Sequence, residues 1–126
     1  MQYRPTAAEL LGAIAELLED EVIDAVDGPL QHKVRVAANL ARILEREADL
    51  GPATAARERA TITALLRADP HDARPLPALR ADLAVRLRDG ELVGVEEREV
   101  WQGLVEITRG DLAIAKPGHD SWTGDA

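Results

Sequence analysis

An all-α fold is predicted by three observations. Apolar residues recur at steps of three and four along most of the 126 residues. Glycine and proline fall mainly between those periodic stretches, where helices end. Aromatic residues make up only 2% against 46% hydrophobic residues, so the core must be aliphatic. Alanine-rich aliphatic faces allow close helix approach, which suits a helical bundle better than a sandwich or barrel. The expectation is a single-domain bundle of about five helices over residues 1–116, followed by a mobile tail at 117–126. A chain of this length can bury a core without metal or disulfide staples.

The first helix opens at Arg4-Pro5-Thr6-Ala7-Ala8-Glu9, where Thr6 is placed to cap and Glu9 stands three residues later. Leu10, Leu11, Ile14, Leu17, Leu18, Val22 and Val26 carry its apolar spacing. Glu16, Glu19, Asp20, Glu21, Asp24 and Asp27 crowd its second half, where the helix dipole disfavours acids. Basic residues are therefore expected beside them, Lys33 and Arg35 being nearest in sequence. Asp27-Gly28-Pro29 makes the turn.

The long central helix is expected over about 30–50. Leu30, Val34, Ala37, Ala41, Leu44 and Ala48 mark one face, and Val36, Leu40 and Ile43 widen it, so neighbours are expected on more than one flank. Gly51-Pro52 reads as its stop. A third helix is expected from about Ala53 to Arg67, with the stem of Arg59 packed and its head wet. Asp69 to Pro75 reads as a linker, Leu76 to Asp89 as a fourth helix with Gly90 as stop, and Glu91 to Val95 as a connector. A fifth helix follows, with Glu96, Glu97 and Glu99 in its first turn and Val100, Leu104, Ile107 and Ile114 as its stripe. Gly103 and Gly110 inside that helix cost about 0.5–1 kcal/mol each relative to alanine, which suggests close approach of a neighbour or a kink.

The net charge is −8, which argues against general binding to nucleic acid or to an anionic membrane. Its distribution is uneven: residues 1–29 carry −6, residues 30–90 carry +3 and residues 91–126 carry −5. A positive middle between negative ends can be satisfied within the fold or between subunits. There is no cysteine, hence no disulfide and no thiolate metal site. No apolar run approaches the ~18 residues of a membrane helix, and the N-terminus does not read as a signal peptide, so a cytoplasmic protein is expected.

Residues that carry chemistry are few. His71-Asp72 and His119-Asp120 are His-Asp doublets of the kind seen in metal-dependent phosphohydrolases, but one lies in the linker and the other in the tail. His32, at the start of the central helix, reads as a surface or capping residue. No Glu-x-x-His pair is present for a dinuclear carboxylate site, and there is no phosphate loop or nucleophile elbow. No catalytic residue, metal site or cofactor is therefore assigned. The one polar feature that stands out is a single stripe on the central helix, Arg35, Asn39, Arg42 and Arg46. Arginine forks suit carboxylates and phosphates, so the stripe either holds an anion or partner, or pairs with acids of the first helix. Trp101, Gly103 and Gly110 on the last helix form the candidate interface, since tryptophan favours contacts and small residues permit close approach.

Five stretches come in an order that resembles a known family: Arg4-Pro-Thr-Ala-Ala-Glu-Leu-Leu11, Arg35-Val-Ala-Ala-Asn39, Leu50-Gly-Pro52, Leu87-Arg-Asp-Gly-Glu-Leu92 and Leu112-Ala-Ile-Ala-Lys-Pro117. Together they are similar to a bacterial family of small all-helical domains of unknown function. The resemblance implies a helical fold and genes beside, or fused to, aminoglycoside-phosphotransferase-like kinases and acyl-CoA dehydrogenases. It brings no catalytic residue. Members usually end in a sequence like LAIANPRY, from which this chain departs at Lys116 and His119. Two functions follow as expectations. One is an accessory interaction domain for such a kinase or dehydrogenase, with self-association. The other is a small-ligand-binding bundle holding a phosphate or carboxylate at Arg35 and Asn39.

Overall fold

The computed structural model describes residues 3–92 and 94–118. The fold is all-α: α1 spans Ala7–Leu17, α2 Gly28–Leu66, α3 Leu76–Asp89 and α4 Glu97–Ala115, and no strand occurs among the described residues. No helix there is long and apolar enough to cross a membrane.

α1 begins as its sequence dictates. The Thr6 hydroxyl accepts from the Glu9 amide at 3.1 Å, which satisfies one of the free donors of the first turn. Beyond Leu17 the chain widens into a π-helical segment, Leu18–Val22, and closes with one α-turn, Ile23–Ala25. The Gln31 side-chain amide then donates to the carbonyls of Ile23 and Val26 at 3.0 and 3.2 Å, capping the end of this run from the start of α2. Gly28 takes φ +60, a backbone that favours glycine, and turns the chain.

α2 corrects the expected stop at Gly51-Pro52. The central helix does not end there but runs on through the expected third helix to Leu66, with Pro52 inside it. Proline normally pushes the residue before it out of the α region through contact with that residue's Cβ. Gly51 has no Cβ, so the pair that reads as a stop can remain helical. The price is one missing backbone donor. Among the described residues the expected five helices are thus four.

α2 ends instead at Arg67, which has φ +54. The Ala68 amide returns to the Thr63 carbonyl at 3.0 Å and the Arg67 amide to Ala64 at 3.2 Å, a left-handed cap built on an arginine. α3 has the expected limits, with Gly90 at φ 70 as its stop.

Two compact units divide the helices. One holds the described residues up to Gly51 together with those from Ala113 onward, and the other is Pro52–Leu112. The second unit has the aliphatic core that the composition demands: Ile62, Leu65 and Leu66 of α2 against Leu79 and Leu83 of α3. Leu76, Leu92, Val95, Val100 and Ile107 pack around them. The Glu58 carboxylate is buried beside this core, held by both arms of the Arg80 guanidinium. In the first unit the buried positions are small: Gly12 and Ala15 of α1, and Val34, Ala38 and Ala41 of α2. A Cβ on Gly12 would run into the Glu45 carboxylate of α2, so the missing side chain at Gly12 makes room for Glu45 between the two helices. Leu30, Val36, Leu40 and Leu44, expected to be covered, are each about half exposed.

Candidate functional site

The arginine stripe of α2 lies in the first unit, and the structure divides it into two pairs. Arg42 is engaged. Its Nε and Nη2 donate to the two oxygens of Glu19 at 3.1 and 2.9 Å, and Nη1 donates to Glu45 at 3.1 Å. The Arg42 fork holds the Glu19 carboxyl below the usual carboxylate range, chiefly by hydrogen bonding, and the Arg42 guanidinium is itself pushed further up. This is the basic partner that the crowded acids of the first helical run call for, and it is Arg42 rather than Lys33 or Arg35. Arg46 is engaged too, with Nε donating to the Ile114 carbonyl near the end of α4 at 2.8 Å. A cation there also complements the dipole of the helix end.

Arg35 and Asn39 are different. Both are exposed, and neither side chain has a hydrogen-bond or ion-pair partner among the described residues. The pairing with helix acids that their spacing also permits is not made. An open hollow of about 710 Å³ lies in the same unit, lined by Arg4, Thr6, Glu9, Glu45, Ala48 and Asp49 among others. Neither Arg35 nor Asn39 lines it. Three carboxylates against one guanidinium suit a cationic guest better than a phosphate.

In the second unit α4 separates the residues of the candidate interface. Gly103 faces inward: a Cβ there would stand 3.1 Å from both Leu65 Cδ1 and Thr61 Cγ2 of α2. Gly110 likewise faces Thr54, 3.0 Å from its methyl. The two glycines and Ile107 thus form the inner side of α4, and their small size lets α4 lie close on α2. Trp101, two residues before Gly103 and so about half a turn away, is on the outer side with 53% of its surface exposed. Leu104 stands beside it at i+3 and is also exposed.

The linker doublet has a structural use. The Asp72 carboxylate accepts from the Arg74 amide at 2.9 Å and from its guanidinium, while Asp69 accepts from the His71 amide at 2.8 Å. These are local turns that aspartate favours. Among the described residues no three acids or histidines gather as a metal site. The second doublet, His119-Asp120, lies outside the described residues, as does the tail beyond Gly118. Sequence reasoning passed over Glu58, whose burial no local pattern announces.

A family model described as a domain of unknown function (DUF6285) matches residues 24–119. The chain belongs to that family. The DUF6285 match takes in α2, α3 and α4 and begins beyond α1, so four of the five stretches that carry the resemblance fall inside it. No curated protein and no solved structure matches the chain.

Proposed function

We propose that this DUF6285 chain is an accessory interaction domain that works by binding another protein and performs no catalysis of its own. Trp101 carries the reading. A tryptophan 53% exposed, with Leu104 beside it, stands on a helix whose inner side is fixed by Gly103 and Gly110. A large aromatic held rigidly and left in water is the residue type that anchors protein contacts. The family resemblance supplies the partner class, an aminoglycoside-phosphotransferase-like kinase or an acyl-CoA dehydrogenase.

The test is co-purification of the tagged chain from its native cell, with mass spectrometry of its companions and a light-scattering mass of the complex. A phosphotransferase-like or dehydrogenase protein in fixed ratio, lost on Trp101→Ala, is the expected result. Recovery that is indifferent to Trp101→Ala would move the contact elsewhere.

A second reading is favoured by Arg35 and Asn39, exposed and without side-chain partners. Together they offer a guanidinium fork and an amide to a phosphate or carboxylate. Titration calorimetry with inorganic phosphate and with a short acyl carboxylate tests it. Saturable binding abolished by Arg35→Ala supports the reading, and no heat at millimolar ligand removes it.

A further inference from the structure

α4 delivers the chain that follows it to an open face of α2. As α4 advances, its contacts move back along α2: Gly103 lies against Leu65 and Thr61, Gly110 against Thr54, and the Ile114 carbonyl accepts from Arg46 Nε at 2.8 Å. The last of these contacts lies in the first unit, to which the residues from Ala113 onward belong. Arg46 shares a helix face with Ile43, Asn39, Val36 and Arg35, which precede it at steps of three and four. That face is only partly covered. Ile43 is half-buried, Val36 is 46% exposed, and Arg35 and Asn39 are exposed without side-chain partners. No acid stands on α2 between Gly28 and Leu44, so the charges there, from Lys33, Arg35 and Arg42, are all positive.

We propose that the chain's own residues 119–126, His-Asp-Ser-Trp-Thr-Gly-Asp-Ala, bind this face, the Trp122 ring on Val36 and Ile43 and the carboxylates of Asp120 and Asp125 toward Arg35 and Asn39. The segment lies outside the described residues; reach, charge and chemistry together name it as the occupant. Arg35 stands roughly 16 Å from Arg46 along the helix, whereas the chain from Gly118 to Asp125 can extend to about 23 Å. The segment carries Asp120 and Asp125 but no lysine or arginine, so its charge is opposite to that of the α2 stretch. Trp122 between those acids supplies a ring that an apolar pair such as Val36 and Ile43 can cover, flanked by acceptors for a guanidinium and an amide. Attachment to α4 holds the segment beside the face at an effective concentration of about a millimolar, so a weak contact suffices. The inference rests on the anion reading of Arg35 and Asn39 and makes the chain's own carboxylates their ligand.

Fluorescence of the full chain carrying Trp101→Phe, in which Trp122 is the remaining tryptophan, tests this without any added ligand. Blue-shifted emission is expected, with acrylamide quenching about fivefold weaker than in the isolated peptide of residues 119–126. Arg35→Glu and Val36→Asp, both at exposed positions, should each raise the quenching about twofold or more while circular dichroism keeps its helical signal. Adding Asp120→Lys with Asp125→Lys to Arg35→Glu should bring the protection back, which a merely structural effect of Arg35 would not do. Trp122 as open to quenching as in the isolated peptide overturns the inference. So does protection that survives both the Arg35 and the Val36 changes. A protected Trp122 in a chain that gives no heat with inorganic phosphate supports this inference over a separate anionic ligand, so the two readings fail separately.

Discussion

Glu58 and Arg80 form a two-armed ion pair in the second unit: Nε and Nη2 of Arg80 donate to the two oxygens of Glu58 at 2.6 and 2.7 Å. The two ends are unequal. Glu58 is 5% exposed, whereas half of the Arg80 side chain reaches water. Replacing Arg80 with alanine strands a carboxylate inside the helix contact, and a cost of about 3 kcal/mol is expected. Replacing both residues, Glu58→Leu with Arg80→Met, should recover most of that loss. Urea midpoints of the parent and the two variants check this, and equal losses in the single and double variants would refute the account.

Gly103 allows α4 to approach α2. Alanine there gains about 0.5–1 kcal/mol of helix propensity but brings its methyl to 3.1 Å from two side chains, Leu65 and Thr61. Overpacking costs more than propensity returns, so a net loss of about 1 kcal/mol is expected, and Gly103→Leu should lose several times as much. Thermal unfolding of the two variants decides the sign.

Pro52 sits inside α2, where it lacks the N–H that would bond to Ala48 and its ring crowds that carbonyl. Pro52→Ala restores the donor. A gain of about 1–2 kcal/mol is expected by chemical denaturation, because Gly51 already relieves part of the proline's clash. Loss of stability would mean that the proline is required for another reason.

Three carboxyls contribute to the response to acid. The Arg86 and Arg74 guanidinium groups beside Asp82, at 2.9 and 3.0 Å, hold it below the usual range. Arg74 does the same for Asp72 and Arg42 for Glu19. The unfolded chain takes up these protons near pH ~4, while the folded chain resists until lower pH. Stability from these pairs is therefore complete above about pH 4–5 and declines as pH falls through the folded values. Denaturation midpoints should be flat from neutrality to about pH 5 and fall below about pH 4. Asp82→Asn should be less stable than the parent at neutrality, with the difference narrowing in acid.

Local chemistry made much of the fold legible. Thr6 caps because its hydroxyl reaches an amide three residues on, and Gly90 stops α3 because glycine accepts a positive φ. Neither depends on distant residues. Gly51-Pro52 misleads for the same reason. Each residue alone breaks helices, but the glycine removes the Cβ with which the proline would collide, and the helix continues.

The candidate site was legible in part. Spacing correctly placed Arg35, Asn39, Arg42 and Arg46 along α2, but it gave no means of telling which had partners. Only the approach of Glu19, Glu45 and the Ile114 carbonyl decides that Arg42 and Arg46 are engaged while Arg35 and Asn39 are open. The α4 residues are a similar case. Trp101 and Gly103 are neighbours in sequence, yet the helix turns one outward and the other against Thr61 and Leu65.

By itself the sequence determined that the chain is helical, aliphatic within and uneven in charge, because periodicity and composition act residue by residue. Only the tertiary structure decided which apolar rows are covered. Helical spacing says which residues share a face, but burial depends on what another segment brings against it. Gly12, Ala15, Ala38 and Ala41 are buried, while Leu10, Leu17, Leu40 and Leu44 stand about half exposed.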